Sequence, residues 1–278
     1  MITAMPRIAI AAEDFDGILD TFKTTFGMPV IDISAETVHS LGAKLAMCVP
    51  PGGSNIELMS PADPEAPLSQ SLQRFLDRRG DGLFALMLEA PVPDDEAEVL
   101  IQNGLQVLPL MAGAAGRDIH PNSTHGVLIR VYPNESFQAE PPSTEDDMQL
   151  SGIMKVIIAV DDLEAAMNVY GDGLGLSIDA IREDKGRGVR STLVRPPKGG
   201  EIELVQPLDS DGEVANRIRT FLDERGEGMY ALVLQSPNLN RTSEVLKARG
   251  SRVTELPDAV EVKRDDTYGA LIRIEQLP

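Results

Sequence analysis

Apolar positions along the first half of the chain alternate between two periods. Residues 8–12 run apolar and predict a short strand. Residues 14–26 place Phe15, Ile18, Leu19 and Phe22 on one helical face, and Gly27 stops that helix. Strands are predicted at 30–34, 44–49 and 56–59, separated by Gly and Pro. A helix over 68–79 ends at Gly80, and an almost wholly apolar strand follows at 83–89. A second helix over 94–103 ends at Gly104, and strands at 106–110 and 127–132 close the unit. The order reads β-α-β-β-β, twice.

The same pattern then recurs. FLDRRGDGLFALML, from Phe75, matches FLDERGEGMYALVL, from Phe221, at an offset of 146. That offset also lays NIELMSP on EIELVQP and so Glu57 on Glu203. Near the start an offset of 148 places Arg7 on Lys155, and near the end 143 places Arg130 on Arg273. Drifting offsets mean short loop insertions between homologous halves. The reading is α+β: four βαβββ modules in two halves, 1–132 and 152–278, each half a curled mixed sheet forming a cup. Residues 133–151 between them are rich in Pro, Ser and acids and have lost apolar periodicity, as a linker does. Glu140, Glu145, Asp146 and Asp147 are expected to form its solvated face.

Charge narrows the partners. The 278 residues carry 25 Lys+Arg against 44 Asp+Glu, a net charge of −19. Such a chain repels nucleic-acid phosphates and anionic membranes, so neither is an expected partner. Cys48 is the single cysteine, so no internal disulfide forms. No apolar run approaches the roughly 20 residues that span a bilayer. The first residues lack a charged stretch leading into an apolar one, so no secretory signal is expected. A cytoplasmic protein, monomer or homodimer, is the expectation.

IELVQP, FLDERGEG and HPNSTHGVLI resemble the vicinal oxygen chelate superfamily of glyoxalases, bleomycin-resistance proteins and dioxygenases. Within it they are most similar to the methylmalonyl-CoA epimerase family. The resemblance covers nearly the whole chain, once per half. It implies two βαβββ modules per half, closed around a divalent metal held by a first-strand His, a Glu or Gln of an IELL-type strand, a His of a GLHHIA-type strand and a last-strand Glu. The matching positions here read Arg7, Glu57, Ala85 and Arg130, then Lys155, Glu203, Ala231 and Arg273. Guanidinium and ammonium groups have no lone pair to give a metal. The expectation is therefore no metal and no cofactor in either half.

Two readings of the replaced residues stay open. The cations neutralise the orphaned glutamates and fill the metal's space, or their spare donors bind a carboxylate or phosphate. On the second reading Arg7 and Arg130 converge on Glu57 and bind substrate. The turn HPNSTHG adds the hydroxyls of Ser123 and Thr124 as anion ligands, and His120 or His125 moves protons beside Glu57. The second half has KRDDTYG at that turn, so the first cup is favoured. The spacing of His39, His120 and His125 matches no metal signature. Cys48 reads as a packing residue, Met47, Met59, Met87 and Met111 as core or an adaptable lining, and residues 113–116 as a hairpin or flexible loop. The expected function is metal-independent action on a small carboxylated compound or acyl thioester, of isomerase, epimerase or lyase type. The alternative is a small-molecule-binding protein without catalysis.

Overall fold

Four times along the chain, the first strand of a module pairs in parallel with the last. The computed structural model describes every residue except 112, 114, 144, 145, 210 and 211. In the first half the elements run β1 (Ala4–Ala11), α1 (Phe15–Asp20), β2 (Val30–Asp32), α2 (Ser34–Leu41), β3 (Ala43–Cys48), β4 (Asn55–Pro61), α3 (Pro67–Arg79), β5 (Gly82–Ala90), α4 (Pro93–Gln102), β6 (Arg117–Ile119) and β7 (Leu128–Pro133). The second half runs β8 (Lys155–Ala159), α5 (Leu163–Asn168), β9 (Ser177–Ile178), β10 (Arg182–Asp184), β11 (Val189–Arg195), β12 (Glu201–Pro207), α6 (Glu213–Arg225), β13 (Gly228–Ser236), α7 (Leu239–Ala248), β14 (Val253–Glu255), β15 (Ala259–Val262) and β16 (Leu271–Gln276). The parallel pairs are β1 with β4, β5 with β7, β8 with β12 and β13 with β16.

Each half is one mixed sheet. Its two modules join where their first strands run antiparallel, β1 on β5 and β8 on β13. The first sheet is ordered β2-β3-β4-β1-β5-β7-β6, and the second β10-β11-β12-β8-β13-β16-β15-β14 with β9 on β11. A register shift beside the central junction recurs in both sheets and adds local bend. The repeat extends to helix defects. Asp14 caps α1 and Asp162 caps α5, and each helix continues into a π-helical turn, Thr21–Thr25 and Val169–Gly173.

Strand alternation sends side chains to two different cores. From β1, Ile8 and Ile10 join a cluster that draws residues from both halves, including Phe22, Leu100, Tyr170 and Leu246. The halves thus share one apolar interior. From the opposite face of β1, Ala9 and Ala11 join a local cluster with Met59, Ala85 and Met87. Helix α3 covers that face with Leu68, Leu72 and Leu76, one per turn or so, over small residues that let it lie close. In the second half α6 does the same through Ile218 and Phe221. The concave faces are therefore plugged by the helices that link the modules.

Three sequence expectations change. Residues 106–110 form no strand: Val107 makes a single bridge to Ile119, and the module's third strand is β6, just after the predicted 113–116 loop. Residue 114 of that loop lies outside the described residues. Helix α2 went unread because it buries only Thr37 and so shows little periodicity. The 133–151 segment is not solvated throughout. Met148 and Leu150 enter the shared core, Asp146 pairs with Arg249 and Asp147 with Arg241. Glu140 is exposed, and Glu145 lies outside the described residues. Cys48 is buried, which pushes its thiol well up. Met47, Met59 and Met87 are buried core. Among the described residues no helix is long and apolar enough to cross a membrane.

The halves meet at two matched glycines. A Cβ on Gly126 (φ +76°) would lie 1.9 Å from the Glu227 carbonyl oxygen, and one on Gly269 (φ +76°) 1.9 Å from that of Asp81. Gly80 (φ +67°, ψ −167°) also has a positive φ but has open space around it. Gly80→Ala should therefore cost about 1–3 kcal/mol in conformational strain alone. Gly269→Ala should cost at least about twice that, read from urea unfolding midpoints, because a main-chain oxygen must also move.

Candidate functional site

Glu57 projects from β4 onto the concave face and is 3% exposed. A carboxylate that deep needs a countercharge. Arg7, from the adjacent β1, supplies it with Nε 3.0 Å from Glu57 Oε2. Arg7 is 4% exposed, stacks 4.5 Å above the Tyr132 ring, and donates from Nη1 to Ser136 Oγ at 2.7 Å. Ser136 in turn donates backbone N–H and hydroxyl to Glu89 Oε1, which ties the inter-half segment over the cup. Burial opposes the Arg7 charge, but Glu57 and Tyr132 overcome it and hold the guanidinium above its usual range.

Arg130 does not converge on Glu57. From β7 its Nε and Nη2 both meet the carboxylate of Asp118, the middle residue of β6. Both residues are buried, and the strand register places them side by side. Burial weakens the guanidinium's hold on its proton, yet the hydrogen bonds it donates to Asp118, with the charges of Asp118 and Tyr132, more than offset this and raise its pKa. Met111 Sδ and the Tyr132 hydroxyl each accept a further N–H, at 3.6 and 3.4 Å. In the sheet register Met87 sits opposite both Arg7 and Arg130, and Ala85 sits opposite Ala9.

The second cup repeats this scheme more loosely. Lys155 Nζ lies 3.1 Å from Glu203 Oε2, and Arg187 Nη1 3.6 Å from Oε1. Burial alone would raise the Glu203 pKa; the Lys155 and Arg187 charges override it and hold the carboxyl below the usual range. Arg273 pairs with Glu261, Glu275 and Asp258. Glu261 on β15 stands to Arg273 as Asp118 stands to Arg130.

The turn residues belong elsewhere. Ser123 Oγ accepts from Gln106 N–H and donates to the His120 carbonyl. Thr124 Oγ1 donates to the Val127 carbonyl at 2.6 Å, so both hydroxyls serve the turn itself. His120 Nδ1 accepts the Asn122 N–H at 3.1 Å. His125 (φ +52°) places Nδ1 3.0 Å from both carboxylate oxygens of Glu227, across the boundary between halves. Neither histidine hydrogen-bonds to Glu57, Arg7 or Arg130. His39 is exposed on α2. The expected catalytic trio of Glu57, His120 and His125 is thus not brought together.

A family model described as Glyoxalase/Bleomycin resistance protein/Dioxygenase superfamily matches residues 7–120 and 154–268. The chain belongs to that superfamily. A 4-hydroxymandelate synthase variant from Streptomyces coelicolor superposes with a TM-score of 0.73 at 13% identity, over 99% of this chain and 92% of that one. That likeness shows the fold, with both halves in the same arrangement. Methylmalonyl-CoA epimerase from Mycobacterium tuberculosis is 26% identical over 48% of this chain and 93% of its own, at a TM-score of 0.42. No curated protein matches the sequence.

The superfamily implies a divalent metal in the cup, and the residues here do not fit one. The positions offer a single carboxylate in each cup, already engaged by a cation. Their other members are cationic or apolar, and cations repel a divalent ion. Among the described residues no group of three or more His, Cys, Asp or Glu could hold a metal.

Asp118 is the residue that sequence reading missed, because it follows a Gly-rich stretch read as a loop. The signal was present: the offset of 143 that lays Arg130 on Arg273 also lays Asp118 on Glu261.

Two outcomes follow from these pairs. Arg130→Met strands a buried carboxylate and should cost about 3–5 kcal/mol, while Arg130→Met with Asp118→Leu should recover most of it; denaturant midpoints read both. For Glu203 the depressed folded pKa means stability that is present above the ordinary glutamate value of about 4.3 and lost as pH falls through the lower folded one. Glu203→Gln should therefore flatten the acid limb of a stability-versus-pH curve, and an unchanged limb would remove Glu203 from the account.

Proposed function

We propose that this chain is a metal-independent member of its superfamily that binds a small carboxylated or otherwise anionic compound without transforming it. The observation that carries the reading is the Arg7–Glu57 pair. It stands at 3.0 Å where the superfamily's metal chemistry resides, both partners are buried, and α3 lies over the same face. Chemistry through an enolate-like anion needs a stabilising cation and a base that both face substrate. Here Arg7 is spent on Glu57, Ser136 and Tyr132, and Arg130 on Asp118. Glu57 is buried and its Oε2 has a fixed cationic partner, which makes it a poor base.

An epimerase, isomerase or lyase acting on an acyl thioester is the second reading. It draws on the superfamily's chemistry, while the cations of both cups are already paired with carboxylates. A binding role tolerates the loss of metal and base together, and so accounts for the same replacement in both halves.

The test is isotope exchange with metal analysis. Protein purified from its own host, incubated with methylmalonyl-CoA in deuterated water, should incorporate no deuterium at the acidic carbon above the uncatalysed rate. Elemental analysis should find no stoichiometric Zn, Co, Ni, Mn or Fe. Enzyme-dependent exchange, or one tightly held metal per chain, would overturn the proposal.

A further inference from the structure

Helices α3 and α6 cover the cups, and a separate cavity lies open. Between the halves lies a pocket of about 350 Å³ with walls from both. The C-terminal halves of α3 and α6, the turn after β15 and the turn after β6 supply Arg74, Arg78, Arg79, Arg225, Arg264 and His120. No aspartate or glutamate lines it, although the chain carries a net charge of −19. Its apolar side is formed by Phe75, Phe84, Phe221, Leu128 and Met229.

The local pseudo-symmetry concentrates charge there. Phe75 and Arg79 occupy the repeat positions of Phe221 and Arg225. Arg225 Nη1 reaches 3.8 Å from where a Cβ of Gly82 would stand, and Arg79 Nη1 3.7 Å from that of Gly228, so each arginine crosses to the other half. Burial and the charge of Arg225 lower the Arg79 pKa. Arg264 packs 5.2 Å from the Phe221 and Tyr230 rings; burial first, with Arg225 and Arg217 adding to it against Tyr230, lowers it to about 10.

Helix-terminal arginines have an ordinary use, since they complement the negative end of the helix dipole. That use does not call for guanidiniums of two helices to converge and repel. It also leaves their donors idle: Arg74, Arg78, Arg79 and Arg225 make no hydrogen bond or ion pair with any described residue. Arg264, by contrast, is anchored through the carbonyls of Gly269 and Tyr230. Unpaired guanidinium forks match the oxygens of phosphate, and like charges held together are relieved by an anion of charge −2 or more.

We propose that this pocket binds a small organic phosphate, with the phosphate on Arg79 and Arg225 and an apolar or aromatic portion against Phe75, Phe84 and Phe221. A single pocket of this size on the pseudo-dyad takes one ligand per chain. His120 lines the same wall, and because its Nδ1 accepts the Asn122 N–H the ring proton sits on Nε2, which is a further donor. The inference rests on the binding reading of the chain for its biological sense, and places the ligand outside both cups.

Calorimetric titration with phenyl phosphate, inorganic phosphate and benzoate tests it. Phenyl phosphate should bind at one site per chain, more tightly than either inorganic phosphate or benzoate, and weaken as salt rises. Arg79→Gln and Arg225→Gln should each weaken it by about tenfold or more, as loss of a charge-assisted fork does. Arg182→Gln, on an exposed edge strand, should leave it unchanged. The Arg79 and Arg225 variants should melt no lower than the parent, because each removes a repulsion. Phenyl phosphate bound equally well by the Arg79 and Arg225 variants would overturn the assignment of the site. Benzoate bound as tightly as phenyl phosphate would overturn the phosphate class and leave the binding reading intact, and absence of binding by all three probes would overturn both.

Discussion

A carboxylate buried on the concave face of each sheet has to be neutralised, and how this is done shapes the rest of the molecule. Glu57 and Glu203 sit at matched positions, each 5% exposed or less. In this chain the neighbouring strand supplies Arg7 or Lys155 rather than a set of metal ligands. A metal would draw several neutral or anionic side chains around itself and keep a place for substrate. A guanidinium instead spends its donors on its immediate neighbours and needs them all satisfied. Ser136, Tyr132, Glu89 and the segment that carries Ser136 are recruited to that end.

The same substitution explains why the linking helices can lie against the sheets. Ala9, Ala11 and Ala85 leave shallow ground on which α3 sets its leucines. Closing the cups does not leave the surface featureless. The C-terminal ends of α3 and α6 approach each other at the pseudo-dyad, where Arg78, Arg79 and Arg225 have no acidic partner among the described residues. Charge is thus distributed unevenly: paired and buried within the cups, unpaired in the cleft between halves.

Much of this was legible in the sequence because it is written twice. The 146-residue offset fixed the modules, the helix positions and the alignment of Glu57 with Glu203. The replaced ligand positions were equally plain, since a strand residue's face follows from alternation. Two things were less so. Arg130 was set against Glu57 because both occupy positions of one inherited site; its true partner lies on β6, a three-residue strand hidden behind glycines. The turn 120–126 was placed at the cup mouth by resemblance, whereas Gly126 and His125 bind it to the other half. Contacts between halves leave no periodic trace along a chain. The arginines of the cleft read in sequence as ordinary helix ends for the same reason.

The central claim is that Arg7 and Glu57 form one closed unit in place of a metal site. A double-mutant cycle over Arg7→Met and Glu57→Leu, read by denaturant unfolding in chelator, measures it directly. The account predicts that each single change is strongly destabilising and that the pair together costs far less than their sum, a coupling of about 2–3 kcal/mol. A coupling under about 0.5 kcal/mol, with additive losses, would mean that the two side chains do not depend on one another. The ion pair would then not be what closes the cup.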